Sequence, residues 1–150
     1  MANEGITLRF KYLNLIFTVK KKTLHDWEKL LGAEAEVIIV VNGKILFWEP
    51  YINVGELATQ LHYWLKNGFE NGEDFDYQGV EFSEGNVLAI KKSNSGWKIA
   101  SRFQLYGETC VLDADEIANS ITDFAIPLVH RIKEEFGVDI SKWLAEKYRS

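Results

Sequence analysis

One stretch limits what this chain can fold into more than any other: residues 37–67, VIIVVNGKILFWEPYINVGELATQLHYWLKN. Val37-Ile38-Ile39-Val40-Val41 is apolar throughout and β-branched, the composition of a strand buried on both faces. Asn42-Gly43 follows at once and is a strong hairpin signal, because both central positions of a type I′ turn need φ > 0. Lys44-Ile45-Leu46-Phe47-Trp48 returns as the second strand, which is expected to stop at Pro50, a residue that cannot donate to a ladder. Asn53 is placed to cap a helix, and Glu56 stands three residues on, as in a capping box. Val54, Leu57, Ala58, Leu61, Trp64 and Leu65 then recur at helical spacing as one apolar stripe, and Gly68 suits a left-handed helix end.

The flanking segments extend this seed on both sides. Ile6, Leu8, Phe10 and Tyr12 alternate with polar residues, and the phase then slips to Leu13, Leu15 and Phe17, which predicts a bulge near Leu13-Asn14 or two successive strands. Thr23 to Leu31 reads as a short capped helix ending at Gly32. After the central helix, Phe75 to Phe82 opens a meander that returns at Val87 to Lys92. It turns at Ser93-Asn94-Ser95-Gly96 and continues with Trp97, Ile99, Ser101, Phe103 and Leu105 on one face. Thr109 to Leu112 is a short last strand. A long helix opens at Asp113, with Glu116 as its capping-box partner, and Gly137 ends it. Pro127 lies inside this helix and is expected to kink it by removing the bond to the Asp123 carbonyl. Asp139 caps a final short helix to about Tyr148. The fold class that follows is α+β. We expect one domain over residues 1–150, an antiparallel sheet of about six or seven strands with two main helices packed on one face.

Composition narrows the function. The chain is 47% hydrophobic, which places it among folded proteins. Its single cysteine, Cys110, allows no internal disulfide, and no charged start leads into an apolar run, so a cytoplasmic, non-membrane protein is expected. The net charge of −5 is unevenly placed. Residues 70–84 carry six acids (Glu70, Glu73, Asp74, Asp76, Glu81 and Glu84) and no base, whereas the residues before them sum to +1 and those after to zero. Such a segment is most simply a solvated loop. As a functional feature it would be a docking face for a basic protein, and it would repel the phosphates of a nucleic acid.

No chemistry-bearing motif appears. His25, His62 and His130 lie on expected helices at no metal-ligand spacing, and Cys110 reads as a buried inert thiol in a short apolar strand. Neither a phosphate-binding glycine loop nor a nucleophile elbow is present, so no catalytic residue, metal or cofactor is expected. Trp48-Glu49-Pro50-Tyr51 reads as a packed corner that sets the entry angle of the helix, or else as an aromatic contact patch built on Trp48 and Tyr51.

Phe47-Trp48-Glu49-Pro50-Tyr51, with Glu56-Leu57, Leu61, Trp64-Leu65 and the later Trp97-Lys98-Ile99-Ala100-Ser101, resembles a group of small uncharacterised proteins of Bacillus-type bacteria. Some members look like immunity proteins encoded beside secreted polymorphic toxins. The resemblance spans about residues 35–135 and supplies no active-site residues. It implies a bacterial, non-enzymatic protein-binding module of the immunity or antitoxin kind that covers a functional surface of a protein partner. Glu70, Glu73, Asp74, Asp76, Trp48 and Tyr51 are the expected contact residues. The alternatives are a small enzyme whose site is assembled across the fold around Cys110 or a histidine, and a phage or prophage accessory protein.

Overall fold

A computed structural model describes residues 6–17, 32–77, 87–107, 110–137 and 139. The expected helices over 23–31 and 140–148, and the acids Glu81 and Glu84, lie outside these residues. The described elements run β1 (Leu8–Phe17), β2 (Ala33–Val41), β3 (Lys44–Asn53) and α1 (Val54–Asn67). A 3₁₀ turn (Phe69–Asn71) follows, then β4 (Phe75–Asp76), β5 (Ala89–Lys92), β6 (Trp97–Ala100) and α2 (Ala114–Phe136).

The strands form two antiparallel three-stranded sheets, ordered β1-β2-β3 and β4-β5-β6, in place of the single sheet expected. Tight turns fix pairing only between consecutive strands. No turn fixes β3 against β4 across α1, and β3 is met instead by the loop after β6, where the Leu105 N–H donates to the Leu46 carbonyl (2.8 Å). One core nevertheless runs through both sheets. Leu8, Ile39 and Phe47 belong to the same buried cluster as Ile90, Trp97 and Ile99. Both helices pack on one face of the first sheet, α1 against β2 and β3 and α2 against β1. Ring pairs Phe10–Phe124 (5.5 Å) and Phe17–Phe136 (5.2 Å) mark the α2 contact.

The hairpin forms as the sequence requires, with Asn42 at φ 53° and Gly43 at φ 82° between paired strands. A Cβ built on Gly43 would touch nothing within 4 Å, so a side chain there meets only backbone strain. Gly43→Val is therefore expected to cost about 1–2 kcal/mol or somewhat more for the β-branched side chain. A urea midpoint unchanged from the wild type would mean that this turn is not what fixes the register.

The phase slip in β1 is a bulge. Pairing with β2 shifts between Leu13 and Ile16, and Asn14 sits at φ 56°. Leu15 and Phe17 turn toward the core as expected, but Leu13 emerges on the opposite face, half exposed. Pro50 does not end β3, which continues to Asn53. In the first sheet β3 is an edge strand, where a missing N–H is tolerated, and the pairing is already irregular opposite Glu36.

Neither Asn53 nor Asp113, the expected N-caps of α1 and α2, forms a side-chain capping bond. The glutamates of both expected boxes serve tertiary contacts. Glu56 Oε1 accepts the Tyr77 hydroxyl (3.1 Å), and Glu116 Oε2 accepts the Leu8 N–H (2.8 Å). Ser120 donates to the Leu8 carbonyl (2.8 Å), so α2 binds both backbone groups of the residue that opens β1. Gly137 ends α2 at φ 71°, as expected. The helix passes through Pro127, and because Pro127 and Asp123 are both exposed, the carbonyl released there lies on the solvent side.

The long alternating strand expected from Trp97 to Leu105 ends at Ala100. Ser101 folds the chain over, its Oγ accepting the Phe103 N–H (2.9 Å) while Gln104 Oε1 accepts the Ser101 N–H (2.9 Å). A side chain that offers the backbone a local partner competes with the ladder. The expected last strand is reduced, among the described residues, to one bridge between Leu112 and Trp97, and Cys110 is exposed rather than buried.

Candidate functional site: an acidic cleft

The acids of the 70–84 segment stand where α1 ends. Gly68 caps that helix in a right-handed conformation (φ −115°), so the expected left-handed glycine is not needed here. Its constraint is space, since a Cβ would lie 2.9 Å from the Trp64 ring. The left-handed position falls to Gly72 (φ 72°), which closes the 3₁₀ turn. Trp64 holds the turn from beneath, its indole N–H donating to the Glu73 carbonyl (2.8 Å) while the Glu73 N–H donates to the Gly68 carbonyl (3.0 Å). The same indole packs against Phe69, Phe75 and Trp97, edge-on to Trp97 at 5.2 Å. This aromatic cluster joins α1 to the second sheet and fixes the turn that carries the acids.

Glu70, Glu73, Asp74 and Asp76 are all exposed. Asp74 is braced by the Lys92 N–H, which donates to its Oδ1 (2.8 Å). Glu73, Asp74 and Asp76 line an open cleft of about 560 Å³ with Tyr63, Trp64 and Phe75. Carboxylates beside aromatic rings form a receptor for a lysine or arginine side chain. The apolar stem can lie along Tyr63, the half-buried one of the three rings, while the cation meets the carboxylates. The stripe of α1 identified Trp64, but not that its ring would floor a cleft. Tyr63, an aromatic residue outside the stripe, was the only available signal.

Trp48 and Tyr51 lie elsewhere. Both point from the face of the first sheet opposite the helices, 47% and 69% exposed, so the packed-corner reading is corrected in favour of exposed aromatics. Glu36 accepts hydrogen bonds from the Trp48 indole and from Asn14 Nδ2. Tyr51, Pro50 and Ile16 border a hollow of about 250 Å³ that shares no residue with the acidic cleft. The length of α1, fourteen residues or about 21 Å, separates Tyr51 from the acids. The sequence-derived contact residues thus form two surfaces.

Among the described residues, no three His, Cys, Asp or Glu side chains gather as a metal site. His130 is exposed on α2, and His25 lies outside the described residues. His62 is half-buried on α1; burial first, then the Lys66 charge, lowers its pKa below the ordinary value of 6.5. The unfolded chain therefore binds the His62 proton more tightly than the fold does. The contribution of this residue to stability is complete above about pH 6.5 and declines as the pH falls through the folded pKa. His62→Gln is expected to flatten the fall in denaturation midpoint between neutral and mildly acidic pH. An unaltered slope would remove His62 as its source.

A family model described as a domain of unknown function (DUF7878) matches residues 8–134. The chain belongs to the DUF7878 family. The matched span begins with the first residue of β1 and stops two residues before the end of α2, so the acidic cleft and the aromatic sheet face both belong to the DUF7878 domain. No curated protein and no solved structure matches the chain. No helix among the described residues is long and apolar enough to cross a membrane.

Proposed function

We propose that this chain is a non-enzymatic protein-binding module whose acidic cleft receives a basic side chain of a partner protein. The observation that carries this reading is the joining of three exposed carboxylates with Tyr63, Trp64 and Phe75 in one open cleft, held by the Trp64–Glu73 bond. In the immunity form of the proposal, supported by the resemblance of the Phe47–Tyr51 region, the partner is a toxin encoded beside this chain. Binding then covers the basic functional surface of that toxin. A nuclease is one such class, because its substrate channel must attract phosphates.

The test is neutralisation in cells. Growth arrested by the adjacent gene product is expected to recover when the wild-type chain is co-expressed. Recovery should fail with a variant carrying Glu70→Gln, Glu73→Gln, Asp74→Asn and Asp76→Asn. Equal rescue by both forms would exclude the cleft. Absence of both rescue and binding would exclude the immunity form.

A further inference from the structure

The face of the first sheet opposite the helices carries a second, independent pattern. Among the described residues, its charged side chains sort by sign along the strands, with Arg9 and Lys11 toward one end and Glu34 and Glu36 toward the other. Arg9 also meets Glu116 at 3.4 Å. Beside these charges stand Leu13, Ile16, Trp48 and Tyr51, between 47% and 69% exposed. Single exposed apolar residues are ordinary, but four on one face of a small sheet make a patch that calls for an occupant.

The order of the charges identifies that occupant. Two copies can stack face to face about a twofold axis that runs across the strands. The strand ends then exchange, and the Arg9–Lys11 end of each copy lies over the Glu34–Glu36 end of the other. A twofold along the strands would set like charge on like. The face is therefore complementary to itself in one isologous arrangement. We propose that this protein forms a C2 homodimer through the outer face of β1, β2 and β3, with Trp48 and Tyr51 among its apolar contacts. This goes beyond the docking proposal, since the acidic cleft lies on a different surface and stays open.

The size of the face sets the expected strength. Three strands at about 4.8 Å spacing and about 33 Å long present a footprint of about 14 by 33 Å. That is below the ~800 Å² per partner of a standard interface, so a micromolar dimer is expected. Sedimentation velocity of the full chain, from a few to several hundred micromolar, should show monomer passing to dimer. Lys11→Glu and Glu36→Lys should each raise the dissociation constant at least tenfold. Mixed together, these two variants should dimerise, because each supplies the sign that the other lacks. Circular dichroism should show both variants folded. Glu34→Lys replaces Glu36→Lys if loss of the Glu36 bonds unfolds the sheet, and Leu13→Ser should weaken the dimer without any change of charge. A monomer at every concentration overturns the proposal and leaves the patch to an unlike partner. A dimer indifferent to both charge reversals, or variants that stay monomeric when mixed, would overturn it as well.

Discussion

Leu61→Ala is expected to lower stability by about 2–5 kcal/mol, because it empties a site with no solvent exposure in the buried stripe of α1. Against a total of about 5–15 kcal/mol for a domain of this kind, that is a large fraction. Lys66→Ala, exposed on the same helix, should stay within about 0.5 kcal/mol. Glu56→Ala should fall between them. As a capping residue alone it would cost about 1 kcal/mol or less. It is instead almost fully buried and accepts the hydroxyl of Tyr77, itself 1% exposed. Losing this buried hydrogen bond to a carboxylate is expected to cost about 1–3 kcal/mol. Chemical denaturation of the three variants decides the matter. Equal midpoints for Leu61→Ala and Lys66→Ala would mean that the helix is packed in a different phase.

The fourfold neutralisation of Glu70, Glu73, Asp74 and Asp76 is expected to slow association with a basic partner by about one to two orders of magnitude at low salt. It should also flatten the dependence of the association rate on ionic strength. Dissociation should change less, except for what is lost when the cleft carboxylates no longer meet a cation. The fold should survive, since exposed charges contribute little. Asp74→Asn retains an oxygen that can accept the Lys92 N–H. Stopped-flow or surface kinetics at several salt concentrations, wild type beside variant, make the measurement. The same rate and the same salt slope in both would reduce the segment to a solvated turn.

The local elements were legible because their causes are local. The Asn42-Gly43 hairpin, the α1 stripe, the slip of phase at Asn14 and the Gly137 stop each follow from a backbone preference or a periodicity within a few residues. The acids were also visible, as a run of one sign without a compensating base. Their exposure follows from the cost of burying charge.

Tertiary structure decided the rest, because the partners are distant in the chain. Glu56 and Glu116 carry the spacing of capping boxes, yet their oxygens accept from the Tyr77 hydroxyl and the Leu8 N–H. Cys110 looks like core in its apolar setting but lies at the surface, since among the described residues of that segment only Leu112 bridges to β6. The division into two sheets depends on which edge β4 and β5 meet, and no turn encodes that choice. The aromatics of Trp48-Glu49-Pro50-Tyr51 could pack or protrude on sequence alone. Their exposure was decided when both helices took the other face of the sheet. The sequence by itself determined the elements, their turns and the place of the charge, through short-range sterics and solvation. Only the tertiary structure determined that a tryptophan from the core stripe would floor the acidic cleft, and that a face sorted by charge would be left open to solvent. Both depend on packing between segments whose separation in the chain leaves no local trace.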